Sequence, residues 1–363
     1  MSKATKHLLI GSTEAYSGKS ATILGVARQC QERGLTIAYG KPIGTCPSES
    51  EADGLDEDVR LFGNTLNLPA NALLPPLLFL NPTTIRKRLQ GSDREDYSAQ
   101  LSQIYATAQN DLVVLEGPGD LEEGSLFNLS LNQMAQVLDA SVLLVSRFHA
   151  TATVDTILTA KQRLGSRLSG VLINDIPEDQ MEDAQQYLRT FLEEREIPVL
   201  GLLPRSALLR SVSVRELVHQ LNAEVLCRAD RLDLMVESLT IGAMSVSSAL
   251  KYFQKTENKA VITGGDRTDI QLAALETSTQ CLILTGHLTP SPAILSRAED
   301  LEVPILSVDL DTLTTVEIVD RAFGQVRLYE PIKVQYVQQM MAEYFDGDRL
   351  MTQLGLEPVA ASN

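Results

Sequence analysis

Residues 11–20 read GSTEAYSGKS and end in Gly18-Lys19-Ser20, directly before the helix-like run ATILGVARQC. These residue types in this order suit phosphate binding. Glycine lets backbone N–H groups turn toward an anion, the following helix presents its positive end, and the Lys19 ammonium reaches β and γ phosphates while the Ser20 hydroxyl can ligate Mg²⁺. Thr13 stands where the pattern G-x-x-x-x-G-K-[ST] has its first glycine. The reading therefore rests on context: HLLIG before the loop has the character of a strand, and Lys19-Ser20 opens a helix. The competing reading is a β-α turn with a solvated Lys19.

Other positions supply what such a site needs. LTIAYGKPIG carries Lys41 at the end of a strand, where a side chain of a parallel sheet points into the ligand crevice; a solvent-exposed lysine is the alternative. DLVVLEGPGD places Glu116 at the end of an apolar strand, suited to Mg²⁺ or its water shell or to capping a loop. Asp53, Asp56 and Asp58 form an acidic cluster that reads equally as a solvated loop or as the source of one more metal ligand. Asn174 in VLIND ends another strand, and its spacing alone also fits a turn.

The elements that must hold these residues follow from hydropathy. HLLIG (7–11), LTIAYGKP (35–42), DLVVLEG (111–117), ASVLLVSRF (140–148), LSGVLIND (168–175) and IPVLGLLP (197–204) are apolar on both faces, as buried parallel strands are. Between them 19–33, 97–109, 129–138, 152–164 and 179–195 have helical spacing. The pattern predicts an α/β fold with a doubly wound, mostly parallel sheet over 1–209. The irregular stretch 44–96, acidic early and rich in Pro and Leu later, is a candidate rim of the site. A second, smaller α/β unit is expected over 210–330, with strands near 239–244, 260–265, 280–286 and 303–310, and a C-terminal helix and tail over 331–363.

At 363 residues the chain is long enough for two cores, and its 44% hydrophobic and 21% charged residues are those of a folded protein. Its 31 Lys+Arg against 47 Asp+Glu give a net charge of −16, which disfavours nucleic acid and anionic membrane as partners. Cys30, Cys46, Cys227 and Cys281 are scattered singly, which argues against a zinc knuckle or disulfide framework and fits a reducing cytoplasm. No apolar run is long enough for a signal-peptide core or a membrane span.

GSTEAYSGKS, YGKPIG, DEDVRLF, VVLEGPG, VLINDIP and IPVLGLLPR, in that order, resemble the dethiobiotin synthetase-like P-loop family, which includes the cobyrinic acid amidases. With SVRELVHQLNAEVL and ITGGDRTDI, the chain more closely resembles the N-terminal and DRTGG regions of long-form phosphotransacetylases. The resemblance implies ATP and Mg²⁺ as cofactors. It implies Thr13, Gly18, Lys19 and Ser20 on the phosphates, with Ser20, Asp58 and Glu116 on Mg²⁺. Lys41 would contact the transferred γ-phosphate as a catalytic residue beside Lys19, and Asn174 would read adenine. Departures accompany it. The loop is one residue longer than the dethiobiotin synthetase pattern, and Glu14 stands where partition ATPases have a second lysine. The acetyl-transferring domain that follows DRTGG in the long enzymes is not in the sequence, so acetyl phosphate synthesis is not expected of it.

In AVITGGDRTDI, Gly264-Gly265 allow a turn and Asp266 or Thr268 can cap the next helix, which would set Arg267 near an anion-binding helix end; a capped turn with a surface Arg is the blander reading. His287, Asp309 and Asp311 are expected along the same edge. Three functions fit. The first is a nucleotide-binding protein with slow ATPase or phosphoryl-transfer activity coupled to a regulatory DRTGG domain. The second is an ATP-dependent carboxylate ligase or amidase, with 44–96 as acceptor pocket. The third is a non-catalytic nucleotide sensor docking on a partner enzyme of acetyl-phosphate or central carbon metabolism. A homo-oligomer is expected from base rates.

Overall fold

The structure, a computed structural model, describes residues 5–45, 54–105, 107–324 and 330–356. Asp53 and Cys46 lie outside the described residues. The chain divides into two compact units, residues 1–205 with 328–363, and residues 206–327.

The first unit is built on seven strands: β1 (Lys6–Ser12), β2 (Ile37–Gly40), β3 (Leu73–Leu74), β4 (Leu112–Glu116), β5 (Ser141–Arg147), β6 (Leu168–Ile176) and β7 (Val199–Pro204). They form one parallel sheet in the order β3-β2-β4-β1-β5-β6-β7. The expected parallel α/β sheet is therefore present. Its central strands are apolar throughout because helices cover both faces: Leu8, Leu9, Ile10, Val113, Val114 and Leu144 are fully buried.

The helices of this part are α1 (Lys19–Glu32), α2 (Glu57–Thr65), α3 (Pro82–Leu89), α4 (Tyr97–Tyr105), α5 (Leu131–Val137) and α6 (Thr153–Leu164). A seventh, α7, joins Met181–Asp183, a π-helical turn Ala184–Leu188 and Arg189–Glu193. The stretch 44–96 is more ordered than its composition suggests. α2 starts at Asp56, whose side chain accepts from the Asp58 N–H, and α3 starts at Asn81, which caps Thr84 N and is followed by Pro82.

In the second unit β8 (Glu224–Cys227), β9 (Ser238–Ile241), β10 (Lys259–Gly264), β11 (Thr279–Thr285) and β12 (Ile305–Val308) form a sheet in the order β8-β12-β11-β10-β9. Four of its strands are parallel and β8 runs antiparallel on the edge. The longer helices here are α8 (Val214–Leu221), α9 (Val246–Phe253), α10 (Thr268–Leu275), α11 (Pro292–Asp300) and α12 (Thr312–Gly324).

The chain then returns to the first unit with α13 (Pro331–Tyr344) and α14 (Gly347–Leu354). α13 packs on α1, where a Cβ on Gly25 would stand 2.3 Å from Met341 Cγ. Gln29 Nε2 donates to Met341 O at 3.0 Å, and Asp346 N donates to Leu200 O at 2.7 Å. Arg349 donates twice to the Glu193 carboxylate, at 2.6 and 2.7 Å. The helix that carries the phosphate-loop lysine is thus backed by α13.

Candidate nucleotide site

β1 lies between β4 and β5, so the chain crosses from one side of it to the other, and ligands of open α/β sheets bind at the carboxyl ends of strands where the order reverses. The loop 13–18 emerges there. Thr13 continues the β1–β5 ladder through its N–H to Val145 O at 3.2 Å, and its hydroxyl donates to Ser146 Oγ at 3.2 Å. Tyr16 is left-handed at φ 55°, and Arg147 Nη2 donates to its carbonyl at 2.6 Å. His149 Nε2 lies 2.8 Å from Glu14 Oε1. Side chains from the end of β5 therefore pin the long loop, including Glu14.

Gly18 is the N-cap of α1 with φ 105° and no side-chain cap, so the first turn leaves backbone N–H groups facing the crevice. A Cβ there would stand 2.4 Å from Asn174 Nδ2. That amide donates to Ser17 O at 2.9 Å, so Asn174 braces the loop from the end of β6. Ser17 Oγ is buried and has no hydrogen-bond partner among the described residues. Ser20 follows Lys19 in the first turn of α1 and is half-buried.

Lys19 is 9% exposed, and its Nζ donates to Ser12 Oγ at 2.8 Å. It makes no ion pair among the described residues. Burial lowers its pKa against the more distant pull of Glu116 and Glu123.

Lys41 stands just past β2, whose Gly40 pairs with Leu115, and so lies level with Glu116. It is 6% exposed rather than solvated. Its ammonium donates to Thr45 Oγ1 at 2.8 Å, to Asp56 Oδ1 at 3.4 Å and to Asp58 Oδ2. Burial alone would lower its pKa, but Glu116, Asp58 and Asp56 reverse that and hold it above the ordinary lysine value. These carboxylates favour the charged form of Lys41, which suits it to stabilise negative charge.

Glu116 is buried at the end of β4, where burial pushes its pKa up while Lys41 and Lys19 pull it down. Its Oε2 accepts from Tyr39 Oη at 2.8 Å, a partner the hydropathy pattern hides because Tyr39 sits inside an apolar strand. Asp56 is fully buried; it caps α2 and accepts from Thr45 N at 2.8 Å. Asp58, with its side chain 22% exposed, is the carboxylate of the pair that faces outward. Lys19, Lys41, Asp58 and Glu116 thus come together at neighbouring strand ends, with Asn174 on the far side of the loop.

No group of three or more His, Cys, Asp or Glu among the described residues could hold a metal unaided. The oxygen donors of Ser20, Asp58 and Glu116 match the chemistry of Mg²⁺, which takes one or two carboxylates together with phosphate oxygens and water. The orphaned Ser17 hydroxyl and the Gly18 cradle likewise fit a polyphosphate.

In the second unit Arg267, not Asp266 or Thr268, occupies the N-cap of α10, and no side chain caps it. The guanidinium donates to Met244 O at 2.9 Å and to Asp269 Oδ1 at 3.2 Å, so it is already engaged. Gln271 Nε2 donates to Gly264 O and Gly265 O, both at 3.0 Å, tying down the glycine turn. His287 Nδ1 lies 2.7 Å from Asp309 Oδ1, with both side chains exposed. Cys30, Cys227 and Cys281 are free and buried, and no described helix is long and apolar enough to cross a membrane.

Known proteins agree with this division. Residues 6–213 match the family described as AAA domain, and residues 216–322 match the DRTGG domain. The phosphate acetyltransferase of Synechocystis sp. is 26% identical over 381 residues, covering 96% of this chain and 52% of that protein. The phosphate acetyltransferase of Nitratidesulfovibrio vulgaris is 23% identical over 371 residues, with the same coverages of 96% and 52%. The chain thus spans about half the length of the curated relatives it matches. The crystal structure of the CBS and DRTGG domains of Clostridium perfringens pyrophosphatase, complexed with its activator diadenosine tetraphosphate, is 20% identical with a TM-score of 0.29. It covers 49% of this chain and 90% of that one. The chain belongs to the AAA-domain family, of the dethiobiotin synthetase-like P-loop kind, and carries a DRTGG domain after it.

Proposed function

We propose that the first unit binds ATP with Mg²⁺ and turns it over slowly, by hydrolysis or phosphoryl transfer, and that the DRTGG domain couples the nucleotide state to regulation. The observation that carries this reading is Lys19, a buried lysine in the first turn of α1 that among the described residues donates only to the neutral Ser12 hydroxyl. A buried charge without a counter-ion is costly, and a polyphosphate would supply one. Lys19 would hold the β and γ phosphates, and Lys41, held cationic by three carboxylates, would stabilise charge on the γ-phosphate as an acceptor or water attacks. Asp58, Glu116 and Ser20 would hold Mg²⁺, which when bound neutralises phosphate oxygens. Thr13 and Gly18 would shape the loop around the phosphates, and Asn174, which braces the loop, would also lie beside the base.

A second reading is an ATP-dependent ligase acting on a carboxylate. It is favoured by a groove of about 440 Å³ beside the loop, lined by Phe148, His149, Val154, Tyr187, Leu188 and Phe191. Residues 44–96, the acceptor pocket expected from the sequence, do not line this groove. We further propose a cytoplasmic homo-oligomer, with partners sought in acetyl-phosphate metabolism because of the relatives' names.

Calorimetric titration with ATP and Mg²⁺, with phosphate release followed in the same samples, tests the reading. Wild type should bind and Lys19→Ala should not; turnover separates the ATPase from a sensor. Equal heats for the two proteins would refute it.

A further inference from the structure

Tyr39 and Lys41 lie two residues apart, on one face of β2 and its extension, so both side chains turn toward the strand end that carries Glu116. Tyr39 is 1% exposed. Its ring packs on Phe62 of α2, with centroids 5.0 Å apart and planes tilted by 45°, in the helix whose first turn holds Asp56 and Asp58. A phenylalanine would fill this space as well. Among the described residues the hydroxyl has a single partner, Glu116 Oε2 at 2.8 Å, and leaving a buried hydroxyl unbonded is costly. The bond holds one carboxylate oxygen and restricts rotation of the group. Lys41 and Lys19 both act electrostatically on the same carboxylate.

We propose that Tyr39 is a positioning residue of the nucleotide site: its hydroxyl orients the Glu116 carboxylate toward the Mg²⁺-nucleotide, and its ring ties that carboxylate to the helix bearing Asp58. The proposal rests on the P-loop reading above. Tyr39 touches neither nucleotide nor metal and acts through Glu116. It distinguishes this site from a lone acidic side chain at a strand end, because the orientation of Glu116 is set by a neighbouring strand rather than by its own.

The test is calorimetry of ADP and ATP binding to Tyr39→Phe, with and without Mg²⁺. Affinity without Mg²⁺ should stay within about twofold of wild type, because the hydroxyl does not face the phosphates. The Mg²⁺ concentration at half-effect should rise about tenfold, the loss expected for a hydrogen bond to a charged group. Adding Tyr39→Phe to Glu116→Gln should cause no further change, since the oriented carboxylate is already gone. Glu116→Asp, which withdraws the carboxylate from Oη and leaves Tyr39 in place, should reproduce the Mg²⁺ shift even if Tyr39→Phe does not fold. A Mg²⁺ dependence unchanged in Tyr39→Phe, or effects that simply add in the double variant, would overturn the proposal while leaving nucleotide binding standing. Absence of nucleotide binding in wild type, with or without Mg²⁺, would instead remove the P-loop reading and this proposal with it.

Discussion

Replacing Lys41 by methionine should destabilise the protein, and more so at pH 8 than at pH 5. The substitution keeps length and volume but removes the cation from among Asp56, Asp58 and Glu116, two of which are buried. Breaking a buried pair from one side costs about 3–5 kcal/mol. Asp56 keeps two backbone donors, Thr45 N at 2.8 Å and Asp58 N at 2.9 Å, so the low end of about 3 kcal/mol applies. For a unit of this size that is a fall in Tm of about 6–12 °C.

The pH dependence has a definite sign. Lys41 has a raised pKa, so its contribution is complete below the ordinary lysine value of 10.5 and is lost only as pH climbs through the folded value. Neutral conditions therefore measure it in full. Glu116 is already pushed up by burial, and without Lys41 it is pushed further. Between the ordinary value of 4.5 and its folded value the native state then holds a proton that the unfolded state does not, so stability falls as pH rises. Thermal and urea unfolding at pH 5 and pH 8 would show a wider gap from wild type at the higher pH, and adding Glu116→Gln should narrow it. A loss under about 1 kcal/mol at pH 8, well below the range for a broken buried pair, or an equal loss at both pH values, would refute the reasoning.

Two further outcomes follow from the same geometry. Gly18→Ala must adopt φ near 105° with its Cβ against Asn174 Nδ2, so it should cost about 1–3 kcal/mol and abolish ATP binding; thermal melts and calorimetry check both, and wild-type affinity would count against the loop conformation. Arg349→Met removes the bidentate pair to Glu193, both side chains of which are about a third exposed, so screening limits the loss to about 1 kcal/mol at pH 7. The hydrogen bond from Arg349 holds the Glu193 pKa down, so this stabilisation is present above the ordinary carboxylate value of 4.5 and vanishes as pH falls through the depressed one, which urea titrations at pH 7 and pH 3 would reveal.

The seven-stranded sheet was readable because six of its strands are buried on both faces and appear as uninterrupted apolar runs. The seventh, Leu73–Leu74, is too short to leave such a run. β8 was missed for a related reason: it is an antiparallel edge strand whose residues are mostly half-exposed. In 44–96 the helices are set by single capping residues, Asp56 and Asn81, rather than by a long periodic pattern. Lys19, Lys41 and Glu116 could be found from residue type at strand and loop ends, whereas Asp58 was singled out from its acidic cluster only by the family resemblance; the structure brings the four together. Which groups they meet was not legible, because the Tyr39–Glu116 bond spans 77 residues and the Lys41–Asp58 pair crosses 17. The bracing of the loop by Asn174 spans 157 residues and leaves no local signal.

The return of the chain to the first unit also bears on how the protein is made. Gln29 on α1 and Met341 on α13 are 312 residues apart in sequence. At ribosomal rates of about 5–20 residues per second, α1 waits about 15–60 s for the helix that covers it. During that interval Gly25 and Cys30, buried in the finished protein, face the ribosomal surroundings, and the second unit has time to fold first. The packing of α1 against α13 is therefore completed only after the whole second unit has been synthesised.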